Sequence, residues 1–335
     1  MFGKALMLCA AAALAAATAL PAQAETTHVR IAQQFGITYL PLMYMEHQKL
    51  LEKHAKQEGL GDVEVTWTKF AGGNVMNDAL LSGSLDFASG GLGPLITLWA
   101  KTRDNLDVRG VCAMNTMPLY LNTRDPNVKT IKDFTDKDKI ALPAVKVSFQ
   151  AVNLQIAAAQ AFGKKNYDKL DKLTVSLSHP DGMTALLSPA SEVTAHFTAP
   201  PFQYQELEHP GVHTVLDSYK IVGGPHTFTV VWTTSKFRKD NPKIYRAFLA
   251  AFEEAIAEIN HDKPAAAKNY IEWAHYKGPA DLPLKVLDDP LVKFTTTPHK
   301  ITTYADFMYK IGSIKVEPKS WKDMFFPEVH ALHGS

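Results

Sequence analysis

Residues 70–101 read FAGGNVMNDALLSGSLDFASGGLGPLITLWAK and repeat one local pattern twice. A glycine turn at 71–74 opens a helix that stops near Gly83, and a short strand at 85–88 follows. A second glycine turn at 90–93 precedes Pro94, a residue favoured in the first turn of a helix. Such turns leave backbone N–H groups unpaired at a helix start, where glycine permits close approach. Tight turns alone would have this composition, but two in succession favour a binding crevice at a sheet edge.

The strand–turn–helix pattern extends over most of the chain and predicts an α/β fold. Strands are expected at 28–32, 63–67, 139–143, 173–177, 193–198 and 227–233. Ser148 is a good N-cap for a helix that runs to Gly163. Further helices are expected from Pro41 to near Gly59 and at 130–134, 183–187 (with Asp181 as a candidate cap), 202–207, 242–259, 304–311 and 321–326.

The order of these elements predicts two lobes, each a mainly parallel sheet flanked by helices. Lobe 1 is expected to consist of residues 25–114 and 225–335, and lobe 2 of residues 115–224. The C-terminal part is mostly helical and lacks the strands for a sheet of its own, so it is assigned to lobe 1. The chain then crosses between lobes near Asn115 and near Gly224, and two adjacent crossings predict a hinge.

The N-terminus has the features of a secretory signal peptide. Lys4 is the only charged residue before position 25, residues 5–20 are apolar, and Ala22-Gln23-Ala24 is a small-x-small cleavage site. The apolar run is too short to span a membrane as a helix. Cleavage after Ala24 and export to the periplasm are therefore predicted.

Composition excludes several classes of partner and site. Without Lys4, the 35 basic residues become 34, which balance the 34 acidic residues. A net charge of zero argues against a nucleic-acid surface. Cleavage would leave Cys112 as the sole cysteine, so an internal disulfide is excluded. The roughly 310 remaining residues suffice for two hydrophobic cores.

The segment NDALLSGSLDF at 77–87 resembles periplasmic solute-binding proteins of ABC importers for nitrate, sulfonates and taurine. Residues 139–150 and the strand 193–198 before a proline-opened helix are similar to the same group. The resemblance implies a type II periplasmic binding fold, a ligand cleft between the lobes and permease subunits in the inner membrane as partners. Relatives of this group bind or make a pyrimidine precursor of thiamine, but the enzymes carry a cysteine cluster that this chain lacks.

The candidate ligand site consists of polar, aromatic and glycine residues in the loops at strand ends. They are Phe35, Gly36, Thr38, Tyr39, Gly73, Asn74, Gly91, Asn115, Thr116, Ser148, Phe149, Gln150, Phe197, Thr198 and His226. These loops contain no Asp or Glu, so a cationic ligand would lose its hydration without gaining a partner. Helix N-termini carry about half a unit charge each, which suits a monoanion or a neutral polar ring.

No nucleophile elbow, phosphate-binding loop or zinc-binding helix is present in the sequence. A monomeric binding protein without cofactor, metal or catalysis is therefore predicted. His209 and His213 flank a Pro-Gly turn and are not expected to bind metal, whereas His179 is a further candidate ligand contact. Three alternatives stay open: a ligand that is neutral and aromatic or pyrimidine-like, a sensor role, and an exported enzyme on the same fold.

Overall fold

The computed structural model describes residues 24–335, so the predicted signal peptide, apart from Ala24, lies outside the described residues. The strands are β1 His28–Gln33, β2 Glu64–Lys69, β3 Ala88–Gly91, β4 Val108–Ala113, β5 Asn115–Thr116, β6 Tyr120–Thr123, β7 Ile140–Leu142, β8 Thr174–Ser176, β9 Ala195–Phe197, β10 His213–Asp217, β11 Thr229–Thr234 and β12 Lys293–Phe294.

The α-helices are α1 Leu40–His47, α2 Leu50–Gln57, α3 Gly73–Leu81, α4 Leu92–Thr102, α5 Phe149–Phe162, α6 His179–Leu187, α7 Phe202–Leu207, α8 Ser218–Val222, α9 Ser235–Asp240, α10 Pro242–His261, α11 Lys263–Trp273, α12 Leu282–Asp288 and α13 Ile301–Lys310. Short 3₁₀ turns include Ile37–Tyr39 and Trp321–Met324. Within residues 24–335, none of these helices combines the length and apolarity needed to cross a membrane.

The strands of the predicted lobe 1 form a mixed sheet. β1 and β2 are parallel, and a parallel bridge between Ile31 and Phe87 connects β1 to the segment before β3. β11 lies between β3 and β4 and runs antiparallel to both. This departs locally from the parallel pairing expected, because β11 enters the sheet from lobe 2 and not through a helical crossover.

The strands of the predicted lobe 2 form a second sheet in the order β10-β6-β9-β7-β8. β7 is parallel to β8 and β9, as the alternation of strands and helices predicts. β6 is antiparallel to β9 and β10 because it continues directly from the crossing. All five strands fall within residues 115–224, in keeping with the lobe boundaries, which stay a prediction.

The long helix α10 packs on α1, α2 and Phe87 of lobe 1 through the face that its sequence predicts. Ile244, Phe248, Phe252, Ala255 and Ile259 are at most 1% exposed. Phe248 stacks on Phe87, with ring centroids 4.1 Å apart. Burying each of the Ile and Phe side chains contributes roughly 1.5–3 kcal/mol. The C-terminal part therefore shares its core with lobe 1.

Local backbone chemistry changes three of the predicted helices. Lys49 adopts φ 54°, which splits the helix predicted from Pro41 into α1 and α2. Residues 130–134 form turns and no helix, because the Asp133 carboxylate accepts the Thr130 N–H at 2.7 Å. α6 starts earlier than predicted, and its cap is Ser178: the Ser178 hydroxyl accepts the Asp181 N–H and donates to the Asp181 carboxylate. Asp181 as the N-cap is therefore wrong.

The two chain crossings lie side by side. Thr116 and Thr227 form an antiparallel bridge, and the Phe228 N–H donates to the Asn115 carbonyl at 3.2 Å. β12 pairs with β5 on the other side, so a third segment braces the crossings. The hinge itself stays a prediction that this pairing supports.

Candidate functional site

The two lobes meet along a line of contacts that we call the seam. It is formed by glycines of lobe 1 facing backbone and rings of lobe 2, namely Gly36 against Pro200 and Phe202, Gly72 against Pro143, Gly91 against Phe149, and Gly93 against Val147 and Ser148. A Cβ on Gly93 would lie 2.6 Å from the Val147 carbonyl oxygen, and one on Gly91 would lie 2.5 Å from Phe149 Cβ. At these positions the two lobes approach each other too closely for a residue with a Cβ.

The start of α5 reaches the seam from lobe 2. The Ser148 hydroxyl accepts the Ala151 N–H at 3.2 Å and caps the helix, as the sequence predicts. Ser148, Phe149 and Gln150 are buried against lobe 1. Among the described residues, the Gln150 side-chain nitrogen is buried without a hydrogen-bond partner. An unpaired buried amide is costly unless a ligand or water satisfies it.

Replacing Ser148 by alanine is expected to lower the free energy of unfolding by about 1 kcal/mol, because the first turn of α5 loses its cap. Urea denaturation measures the change. Ser313, an exposed serine outside the helices, provides the control substitution. An unchanged stability of Ser148→Ala would contradict the capping role, and an additional loss of ligand affinity would show that the hydroxyl also contacts the ligand.

His226 lies beside the chain crossings, among aromatic rings. Its ring nitrogens lie 3.1 Å from the Thr227 carbonyl and 2.8 Å from the Ser218 hydroxyl. The ring packs edge-on against Phe149, and burial lowers the pKa of His226 to about 3. Since both nitrogens already have partners within the protein, the structure argues against the ligand contact predicted for His226.

Asn115 and Thr116 also hold the crossings in place. The Asn115 amide donates to the Thr38 carbonyl at 2.8 Å and to the Thr229 hydroxyl at 2.6 Å. Its side-chain oxygen accepts the Thr229 N–H at 3.4 Å. Asn115 therefore ties the loop after β1 to β11, and its amide is not free for a ligand as predicted. Thr116 is buried within the β5 and β12 pairing.

The loop after β1 contributes side chains of two kinds. Phe35 is half-buried, and Gly36 adopts φ 108°, a conformation that favours glycine. Thr38 is buried, and its hydroxyl has no partner among the described residues. Tyr39 is 2% exposed and belongs to the lobe 1 core, where burial raises its pKa. The predicted ligand contact of Tyr39 stays a prediction.

Gly73 and Asn74 lie at the start of α3. A Cβ on Gly73 would lie 2.7 Å from Pro94 Cγ, so this glycine lets two helix starts of the same lobe approach. Asn77 bridges them further, donating to the Pro94 carbonyl at 3.0 Å and accepting from the Trp232 indole at 3.1 Å. Asn74 is exposed. Gly73 therefore serves packing within lobe 1, and its predicted role in ligand binding stays a prediction.

Phe197 and Thr198 differ although they are adjacent. Phe197 is fully buried within β9, opposite Leu121, so it packs in the lobe 2 core, and its predicted ligand contact stays a prediction. The Thr198 hydroxyl lies 2.8 Å from His179 Nδ1. His179 in turn stacks on Phe202, with centroids 5.8 Å apart. Burial, and secondarily His196, lower the pKa of His179 to about 3, so its ring is neutral.

A cavity of about 240 Å³ lies within the seam, next to Phe202. Lobe 1 contributes Phe35, Gly36, Met43, Lys69, Tyr270, Ala274, His275, Tyr276 and Lys277, and lobe 2 contributes Pro180, Met183, Phe202 and Gln205. Phe35 and Gly36 are the predicted site residues that the cavity includes. The lining contains lysines but no carboxylate.

Sequence reasoning missed the residues at 270–277 because they follow the last strand of the sheet by more than thirty positions. Their only local signal is the Tyr, His, Tyr and Lys composition near the end of α11. They reach the seam only because α11 packs beside α1.

Residues 24–335 contain no cluster of three or more His, Cys, Asp or Glu side chains that could hold a metal ion. Cys112 is fully buried, and burial raises the pKa of its thiol. It therefore packs as a small apolar residue.

Solved structures share this architecture at low sequence identity. The periplasmic aliphatic sulphonate binding protein SsuA of Escherichia coli is 19% identical, with a TM-score of 0.64 over 90% of this chain and 92% of that one. The alkanesulfonate-binding protein SsuA of Xanthomonas axonopodis pv. citri, bound to MOPS, is 17% identical, with a TM-score of 0.68 over 93% and 100%. The periplasmic nitrate-binding protein NrtA of Synechocystis PCC 6803 is 16% identical, with a TM-score of 0.68 over 92% and 86%.

These likenesses show the fold: the chain has the two-lobed periplasmic binding protein fold. No curated protein sequence matches the chain. The model of the NMT1-like family matches residues 22–275. Because that match covers well over half of the sequence, the chain belongs to the NMT1-like family.

Proposed function

We propose that this protein is the solute-binding component of an ABC importer, which captures a small anion of the sulfonate, taurine or nitrate kind in the periplasm. The observation that carries the proposal is the cavity in the seam. Its wall combines residues of both lobes, includes Lys69 and Lys277, and contains no carboxylate. A ligand held there contacts both lobes at once and so favours the closed form. The family and the fold support this role.

Transport requires the closed form to be recognised by permease subunits, which are the partners we propose. Binding by a monomer without cofactor or catalysis completes the proposal. Among the described residues, His196 and Glu206 are the pair that most resembles a catalytic acid–base pair. They lie 2.5 Å apart, and both are fully buried in lobe 2. Glu206 also accepts from Asn122 at 2.9 Å, so this pair is an internal brace with no access for a substrate.

A neutral aromatic or pyrimidine-like ligand is the second candidate, and the rings of Phe35, Phe202, Tyr270 and Tyr276 favour it. The two candidates differ in charge. Lysines at the rim favour an anion, because an ammonium group attracts a negative charge more strongly than it attracts a neutral ring.

A thermal-shift screen tests the proposal. The panel contains sulfonates, nitrate, carboxylates, pyrimidines, polyamines and basic amino acids. A ligand at 100-fold over its dissociation constant is expected to add about 2.7 kcal/mol to the free energy of unfolding. Chromatography of the recovered solute should show it unchanged. Stabilisation by cations alone, by no solute in the panel, or with conversion of the solute would contradict the proposal.

A further inference from the structure

We propose that the ligand is an organic anion with an aromatic or similarly sized apolar body, and that residues 270–277 select for it. This inference rests on the proposed function and narrows its ligand class. We call Tyr270, Ala274, Tyr276 and Lys277 the C-terminal wall. All four line the cavity from the side of lobe 1, opposite Met183 and Phe202 of lobe 2.

The size of the cavity favours a ligand larger than an inorganic anion. A cavity of about 150 Å³ accommodates benzene, and each water in the liquid occupies about 30 Å³. The cavity in the seam measures about 240 Å³. A benzene-sized body therefore fits and leaves room for a charged head group. Nitrate would fill only a small part of this volume.

The chemistry of the inner lining suits an apolar body. Tyr270 is 2% exposed, Met43 is 3% exposed and Phe202 is 9% exposed. Tyr270 and Tyr276 form a tilted ring pair with centroids 5.6 Å apart. Aromatic rings and flexible methionines together adapt to a flat or branched apolar group. A fully hydrated ion would make little favourable contact with these apolar side chains.

The charges at the opening suit an anionic head group. Lys69 and Lys277 are exposed parts of the lining, and no Asp or Glu belongs to it. Glu208 and Asp281 lie outside the lining but close enough to act on Tyr276. The ammonium group of a zwitterion such as taurine would face these lysines and be repelled by them. Taurine is therefore expected to bind less tightly than a sulfonate whose body carries no charge.

The Tyr276 hydroxyl is a buried polar group of the C-terminal wall that lacks a protein partner. Among the described residues it is buried and makes no hydrogen bond. Burial, with Asp281 and Glu208, raises the pKa of Tyr276 to about 12, so the hydroxyl stays protonated. A protonated hydroxyl donates to an anion, and an acceptor from the ligand would satisfy it.

Calorimetry with matched ligands tests the inference on the wild-type protein. Benzenesulfonate is expected to bind at least tenfold more tightly than methanesulfonate and nitrate, which lack the body. Its affinity should also be at least tenfold higher than that of taurine and of the neutral isostere benzenesulfonamide. Tighter binding of nitrate or methanesulfonate would overturn the inference and leave the proposed function intact. Equal binding of the sulfonamide would overturn the anionic head group, and binding of none of these solutes would overturn both proposals.

Variants locate the selectivity in the C-terminal wall. Tyr276→Phe is expected to lower the affinity for benzenesulfonate about tenfold and the affinity for benzenesulfonamide by less. The control is Tyr309→Phe, at a tyrosine on α13 that is 37% exposed. The double variant Lys69→Gln with Lys277→Gln should lower the affinity for sulfonates and reduce the salt dependence of their binding. The control is Lys164→Gln with Lys310→Gln, which removes the same charge from a different groove. Equal effects in variants and controls would overturn the assignment of residues 270–277.

Discussion

Replacing Gly93 by alanine is expected to weaken ligand binding on the order of 100-fold, about 2.7 kcal/mol. The added Cβ would lie 2.6 Å from the Val147 carbonyl oxygen and within 3.4 Å of the backbone of Ser148 and Phe149. These are backbone atoms of lobe 2, so a side-chain rotation cannot relieve the clash. The open form escapes it, because the lobes separate there. Calorimetry with benzenesulfonate measures the loss.

The same substitution should leave the ligand-free protein at least as stable as the wild type. Gly93 lies in the first turn of α4, and alanine is the better helix residue, by up to about 1 kcal/mol in a helix interior. Gly61→Ala is the control, since a Cβ there has no neighbour within 4 Å. A Gly93→Ala protein that binds normally would contradict closure through the seam. One that is strongly destabilised without ligand would place the clash within a lobe.

Acidification from pH 6.5 towards pH 5 is expected to destabilise the protein. His179 and His226 are neutral in the folded protein, each with a pKa lowered to about 3 by burial. In the unfolded chain a histidine has a pKa of about 6.5, so below that pH only the unfolded state takes up these two protons. The free energy of unfolding then falls by up to about 1.4 kcal/mol per pH unit for each histidine. Above pH 7 this contribution to stability is fully present.

Urea denaturation at pH 5.0 to 7.5 measures this slope. His179→Gln and His226→Gln should each remove the contribution of one histidine, up to about 1.4 kcal/mol per pH unit, from the pH dependence of the free energy of unfolding. This holds whatever their effect on stability at pH 7.5. His333, which is exposed, provides the control substitution. Stability that rises on acidification, or a slope unchanged in both variants, would contradict neutral buried histidines.

The parts of the site that depend on local patterns could be predicted from the sequence. Ser148 follows a strand and precedes an apolar helix, so its role as N-cap needs no knowledge of the rest of the fold. The glycine turns at 71–74 and 90–93 were likewise identified as helix starts. What sequence could not assign was the partner of each glycine: Gly73 meets Pro94 in its own lobe, whereas Gly93 meets Val147 across the seam.

The remaining features depend on tertiary packing. The sequence presents Asn115 and His226 as polar residues at strand ends. In the fold, Thr38 and Thr229 bind the Asn115 amide, and the Ser218 hydroxyl and the Thr227 carbonyl lie against the His226 ring nitrogens. The C-terminal wall was missed for the opposite reason. Tyr270 and Tyr276 are distant in sequence from any glycine turn, and only the packing of α11 beside α1 brings them to the cavity.

The central claim is that an organic anion binds between the lobes, and crystals grown with 4-bromobenzenesulfonate test it most directly. Bromine gives an anomalous signal that locates the ligand independently of any search for density. The account predicts one strong peak inside the seam, between Phe202 of lobe 2 and Tyr270 or Tyr276 of lobe 1. A ligand that binds in solution but gives its peak on a single lobe, away from these rings, would contradict the account.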